Sequence, residues 1–128
     1  MTAVLDASAI LALIYREDGH DQVAAQIRGA VISAVNFSEV VRKLVQNGHP
    51  APAEAAGVVL SLGATVAAFT AAEAVDTALL WTSTRGGGLS LGDRACLAVA
   101  GSVPEGRAVT ADRAWARVDA GVPVDLIR

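Results

Sequence analysis

The sequence predicts an α/β fold of three layers, with a central parallel sheet of about five short strands flanked by helices. Short apolar runs bounded by turn residues alternate with segments of helical periodicity, the pattern of strands joined by helical crossovers. The chain has 128 residues, enough for one core and too few for two, so residues 1–128 are expected to form a single domain. No internal repeat, long linker or low-complexity tract divides it.

Ala3-Val4-Leu5 is a short apolar run that ends on Asp6, as a buried strand does. Ser8–Tyr15 comes next as a short helix, broken by the polar run Arg16-Glu17-Asp18-Gly19. His20–Arg28 has helical spacing, with Val23, Ala24 and Ile27 on one face, and Gly29 ends it. Ala30–Val35 is the second strand. Asn36 opens the next helix, whose apolar face is Val40, Val41, Leu44 and Val45, and Asn47-Gly48 stops it. Beyond the His49–Pro52 corner a helix runs to about Leu62, with Gly63 as its cap, and Thr65–Ala68 is the third strand. Thr70 begins a helix reaching Thr82, and Arg85-Gly86-Gly87-Gly88 reads as a flexible loop. Ser90–Ala100 is helical, Ala108–Thr110 is the fourth strand, Asp112–Trp115 a short helix, and Val122–Ile127 the last strand.

Composition narrows the class. Cys96 is the lone cysteine, so no internal disulfide forms, and a reducing cytoplasm is the expected setting. No apolar stretch approaches the ~20 residues of a membrane span, and Met1–Asp6 lacks the basic lead of a signal peptide. The net charge of −3 is wrong for binding nucleic acid through phosphate contacts alone, unless metal ions reverse the sign at the site. A hydrophobic share of 53% implies a deep core and an apolar patch that a partner covers.

In open parallel sheets, ligands bind beyond the carboxyl ends of the strands. Four acids are placed there: Asp6 after the first strand, Glu39 in the first turn of the helix after the second, Asp93 in the first turn of the helix from Ser90, and Asp112 after the fourth strand. Each has a structural use. Asn36–Glu39 and Ser90–Asp93 fit capping boxes, and Asp6 and Asp112 suit helix N-caps. Together they pose an electrostatic problem. Two unit charges 4 Å apart cost roughly 4 kcal/mol at an effective dielectric of about 20. Arg94 and Arg113 are the two basic residues adjacent in sequence to any of the four. A divalent cation solves this, and oxygen donors suit Mg²⁺ or Mn²⁺.

The segments Val4-Leu5-Asp6-Ala7-Ser8-Ala9, Asn36-Phe37-Ser38-Glu39-Val40, Leu91–Ala98 and Val109-Thr110-Ala111-Asp112 resemble the signature segments of PIN-domain ribonucleases, most of all the VapC toxins of toxin–antitoxin pairs. The resemblance runs the length of the chain. It implies Mg²⁺- or Mn²⁺-dependent RNA cleavage, a homodimer, and inhibition by a small VapB-like antitoxin, in a larger complex with it. It assigns Asp6, Glu39, Asp93 and Asp112 as the catalytic, metal-binding quartet, with Ser8 and Thr110 as supporting hydroxyls. Arg42 and Arg94 are candidate RNA contacts, and Arg16 with the helices around it a candidate antitoxin surface.

Other readings fit less well. A haloacid-dehalogenase-like phosphatase needs a second Asp two residues after the first, and position 8 is Ser. A receiver domain needs an acidic pair at the end of the first strand and a lysine late in the chain, and Lys43 is misplaced for that role. A PIN-fold RNA-processing nuclease without an antitoxin and an inactive PIN-fold binding module remain as alternatives. His49, Glu73, Asp76 and the cluster Glu17, Asp18, His20 and Asp21 read as turn or surface residues, Cys96 as a packed thiol, and Trp81 and Trp115 as buried or at a subunit contact.

Overall fold

The computed structural model describes residues 1–128. The elements in order are β1 (Thr2–Leu5), α1 (Ala7–Tyr15), α2 (His20–Gln26), β2 (Val31–Ser33), α3 (Ala34–Gln46), α4 (Pro52–Ser61), β3 (Thr65–Ala67), α5 (Ala71–Leu79), α6 (Trp81–Thr84), α7 (Leu91–Ser102), β4 (Gly106–Thr110) and β5 (Val124–Leu126). Short 3-10 turns cover Arg85–Gly87 and Arg113–Arg117. The five strands form one sheet in the order β3-β2-β1-β4-β5, every pair parallel. The expected three-layer α/β architecture is the observed one.

Strand alternation explains the two covered faces. On β1, Ala3 and Leu5 join the larger core with Ile10, Val23, Ile32, Val40 and Leu44, beneath α1 to α4. Val4 points the other way and packs with Cys96, Leu97, Ala108 and Trp115, beneath α7. On β4 the alternation repeats, with Val109 on the first side and Ala108 on the second. Only a strand buried on both sides reads as a continuous apolar run.

The chain departs from the sequence-based expectation in three places. The second strand is shorter than Ala30–Val35, because Ser33 turns out as the N-cap of α3 and accepts from the Val35 amide at 3.2 Å. Asn36 therefore lies inside the helix, and Glu39 stands in its second turn rather than its first. The helix from Thr70 breaks at Leu80, whose carbonyl also receives the hydroxyls of Thr84 at 2.7 Å and Ser83 at 3.3 Å, so side chains compete with the helical ladder. Residues 85–88 are not the irregular loop that their glycines suggest. Arg85–Gly87 is a 3-10 turn seated on the Arg113–Arg117 turn, and a Cβ at Gly87 would stand 2.6 Å from Val118. Of the two tryptophans expected to be buried or at a subunit contact, Trp115 is buried, and Trp81 is 51% exposed with the Arg85 guanidinium over its ring, which fits the contact and not burial.

Candidate active site

Parallel strands all end on one edge, and the chain leaves that edge through residues that cap the next helix or turn. Asp6 comes directly after β1 in extended backbone (φ −82°, ψ 177°) and caps α1, accepting from the Ala9 amide at 2.9 Å. Its carboxylate also accepts from Ser8 Oγ at 2.7 Å and from Thr110 Oγ1, at the end of β4, at 2.6 Å. The Ser8 hydroxyl in turn accepts from the Ala111 amide at 2.9 Å, and Thr110 Oγ1 accepts from the Asp112 amide at 3.0 Å. Two hydroxyls thus stitch the ends of β1 and β4 together around one buried carboxylate.

That carboxylate is only 4% exposed. Burial pushes its pKa up to about 6, outweighing the hydrogen bonds from Thr110, Ala9 and Ser8, and the charge of Asp93 pushes the same way. Asp93 occupies the third position of α7 in a completed capping box: its carboxylate accepts from the Ser90 amide at 2.9 Å and its own amide donates to Ser90 Oγ at 3.2 Å. Its pKa is raised by burial and, less, by the charge of Asp112, against the hydrogen bonds with Ser90 and the charge of Arg94. Asp112 caps the 3-10 turn after β4, accepting from the Ala114 amide at 2.9 Å.

Glu39 reaches the same edge from α3. Its carboxylate accepts from Asn36 Nδ2 at 2.8 Å, and that amide also donates to the Gly92 carbonyl at 3.0 Å. Asn36 therefore ties α3 to the first turn of α7, and Gly92 provides the space: a Cβ there would overlap the Glu39 carboxylate. The structural use of Glu39 is a bond to the Asn36 side chain, where a capping box would use its backbone amide. Below the acids, burial and the charges of Asp6, Asp93 and Glu39 all drive the Cys96 thiol upward, so three acids act on one buried atom.

Asp6 feels Asp93 and Asp93 feels Asp112, but the four acids do not close on a point. No three His, Cys, Asp or Glu side chains stand where they would grip one ion directly. The donors are all hard oxygens, no arginine or lysine forms a salt bridge with any of them, and the buried Asn36 Oδ1 has no hydrogen-bond partner. This set fits a hydrated divalent cation, which keeps several waters and takes one or two carboxylates directly.

Of the supporting residues, Ser8 and Thr110 contact Asp6 itself. Arg94 lies beside Asp93 with its Nε buried and unpartnered, and Arg42 is exposed on α3. The residue that sequence reasoning undervalued is Asn36. Its signal was its place three residues before Glu39, a spacing that puts both on one helix face.

Fold and edge together define a doubly covered parallel α/β domain with an acidic centre at the strand ends. The family model of the PIN domain matches residues 3–121, and the chain belongs to that family. Among solved structures, it is similar to a chain in the crystal structure of VapBC2 from Rickettsia felis bound to a DNA fragment from their promoter. There the TM-score is 0.69 at 14% identity, over 98% of each chain. No curated protein sequence matches at a significant level. No helix is long and apolar enough to cross a membrane.

Proposed function

We propose that this PIN domain is a divalent-metal-dependent endoribonuclease acting as the toxin of a VapBC-type toxin–antitoxin pair in the cytoplasm. The observation that carries the reading is the uncompensated acidic edge: Asp6 is buried and still feels Asp93, and Asp93 feels Asp112, with no ion pair to relieve them. Asp6, Glu39, Asp93 and Asp112 would hold Mg²⁺ or Mn²⁺, directly or through water. The bound ion would supply a water of lowered pKa and offset charge on the phosphodiester. The protein's own part is positional. Ser8 and Thr110 fix the orientation of Asp6, Ser90 that of Asp93, and Asn36 that of Glu39. Arg42 and Arg94 would meet phosphates beside the acids.

An enzyme of this kind needs restraint in its host, and the surface offers a place for it. A groove of about 530 Å³ runs between α1 and α4, lined by Leu13, Ile14, Val58, Val59 and Leu62 with Arg16 at its side. Its apolar floor and basic rim suit an amphipathic segment carrying an acid. This is the surface around Arg16 that we assign to the VapB-like antitoxin; the likeness to a VapBC2 chain supports an antitoxin as the kind of partner. The homodimer would use the exposed Val75, Leu79 and Trp81 of α5 and α6.

The test is incubation of the purified protein with total RNA, with and without Mg²⁺, with the cut sites mapped. Cleavage that needs Mg²⁺ and is lost in Asp93→Asn is the expected result. Intact RNA in both conditions overturns the nuclease. Cleavage by a protein whose expression leaves growth unaffected removes the toxin role and favours RNA processing.

A further inference from the structure

The acidic edge opens into a trough between α1 and α3. One wall is the face of α1 bearing Ser8, Leu11 and Tyr15, at helical spacing; the other is the face of α3 bearing Lys43 and Asn47. Arg128 closes the side, and the cavity is about 240 Å³. Ser8 belongs to both sites, since its hydroxyl holds Asp6. Lys43 lies one helical turn beyond Glu39, about 6 Å along the axis at 1.5 Å per residue. The trough therefore starts at the acids and leads away from them along two helices.

Its chemistry differs from that of the acids. Lys43 is the lone lysine of the chain, it is exposed, and it makes no salt bridge. The Arg128 guanidinium is held in place by the Asp18 carbonyl at 2.9 Å and more loosely by Glu17 at 3.5 Å. Glu17 pairs with Arg128, which leaves Lys43 as the cation of the trough with no carboxylate bound to it. At the far end the Tyr15 ring is 40% exposed, and its hydroxyl accepts from Asn47 Nδ2 at 3.1 Å, which fixes the ring's position. Cations beside an exposed, held aromatic ring are what a single-stranded nucleic acid uses: phosphate on the first, base on the second.

We propose that this trough is a nucleotide subsite, which takes the phosphate of a nucleotide next to the scissile bond on Lys43 and Arg128 and stacks its base on Tyr15. The inference rests on the ribonuclease reading and adds where the substrate strand leaves the acids. Single-stranded RNA is the substrate form, because only an unpaired base is free to stack in this way.

Binding of a fluorescent single-stranded RNA is measured in Mg²⁺ on an Asp93→Asn background, which keeps the RNA intact, across a series of salt concentrations. Lys43→Gln should weaken binding five- to tenfold at low salt. It should also flatten the slope of log K against log salt by about 0.7, the loss of one phosphate contact to a single strand. Arg28→Gln removes the same charge at the opposite edge of the sheet, before β2, and should leave the slope alone. Tyr15→Leu should weaken binding without changing the slope, and Tyr15→Phe should retain most of the affinity. With the acids intact, Lys43→Gln should raise KM while kcat stays within twofold. An unchanged affinity and slope in Lys43→Gln, or an equal loss in Arg28→Gln, overturns the subsite. A protein that cleaves no RNA in Mg²⁺ overturns the ribonuclease reading itself, whereas cleavage with unaltered trough variants removes the subsite alone.

Discussion

Glu39 rests its carboxylate in the space that the missing side chain of Gly92 leaves on α7. The two residues belong to different helices and are joined by Asn36, which donates to both. Glycine inside a helix ordinarily costs about 1 kcal/mol relative to alanine, so its presence at the second position of α7 has a steric reason. Gly92→Ala should recover that intrinsic preference while pushing the flexible end of Glu39 aside. We expect a melting temperature within a few degrees of wild type and RNA cleavage reduced at least tenfold. Full activity in Gly92→Ala would show that Glu39 is not needed where it stands.

Thr110 joins two acids through one hydroxyl, donating to Asp6 and accepting from the Asp112 amide. Thr110→Val keeps the shape and removes both bonds. Leaving buried polar groups unpaired costs about 1–3 kcal/mol, which for a chain of this size lowers the melting temperature by roughly 4–12 °C. Asp6 loses a hydrogen bond that holds its pKa down, so the acid limb of the pH–activity profile should move to higher pH. A profile that does not move would separate Asp6 from the reaction.

Asp6 also makes the metal-free protein sensitive to pH. Its carboxyl binds a proton up to about pH 6 when folded, against an ordinary value of 3.8. The folded state therefore holds more protons between those values, and stability falls as pH rises through them. The loss attributable to Asp6 is at most about 3 kcal/mol. Asp6→Asn lacks this dependence. In chelator its stability relative to wild type should be greater at pH 7.5 than at pH 4.5, read from paired urea melts. A difference independent of pH would mean that Asp6 is not held as the structure shows.

Metal binding should appear in stability before it appears in activity. A ligand that binds only the folded state stabilises it by about 2.7 kcal/mol at a hundred times Kd. Mn²⁺ should raise the melting temperature of wild type by roughly 10 °C at that concentration. Asp6→Asn and Asp93→Asn should gain much less. Equal gains in all three proteins would remove these carboxylates as ligands.

The groove between α1 and α4 gives a test independent of RNA. Val58 is half exposed on its wall, so Val58→Glu should fold and cleave like wild type. Placed in an apolar groove, the charge should weaken capture of the proposed antitoxin's amphipathic segment at least tenfold, measured by fluorescence anisotropy. Undiminished capture would place the antitoxin elsewhere.

The sequence by itself determined the architecture and which four acids stand at the strand ends. Runs such as Ala3–Leu5 and Ala108–Thr110 are apolar on both strand faces, and that alone requires a sheet covered twice. A parallel sheet then carries Asp6 and Asp112 to one edge, because both come at the ends of neighbouring strands. Tertiary structure decided what local pattern could not. Asn36-Phe37-Ser38-Glu39 has the letters of a capping box, but Ser33 caps the helix, since β2 ends two residues sooner against its neighbours. The break at Leu80 and the seating of Arg85–Gly87 depend on hydroxyl and packing partners chosen in three dimensions. The same holds for the trough, where Ser8, Lys43 and Arg128 meet from opposite ends of the chain. Periodicity reports which face of an element is buried; only packing decides which two elements share a face, and the centre is built where they do.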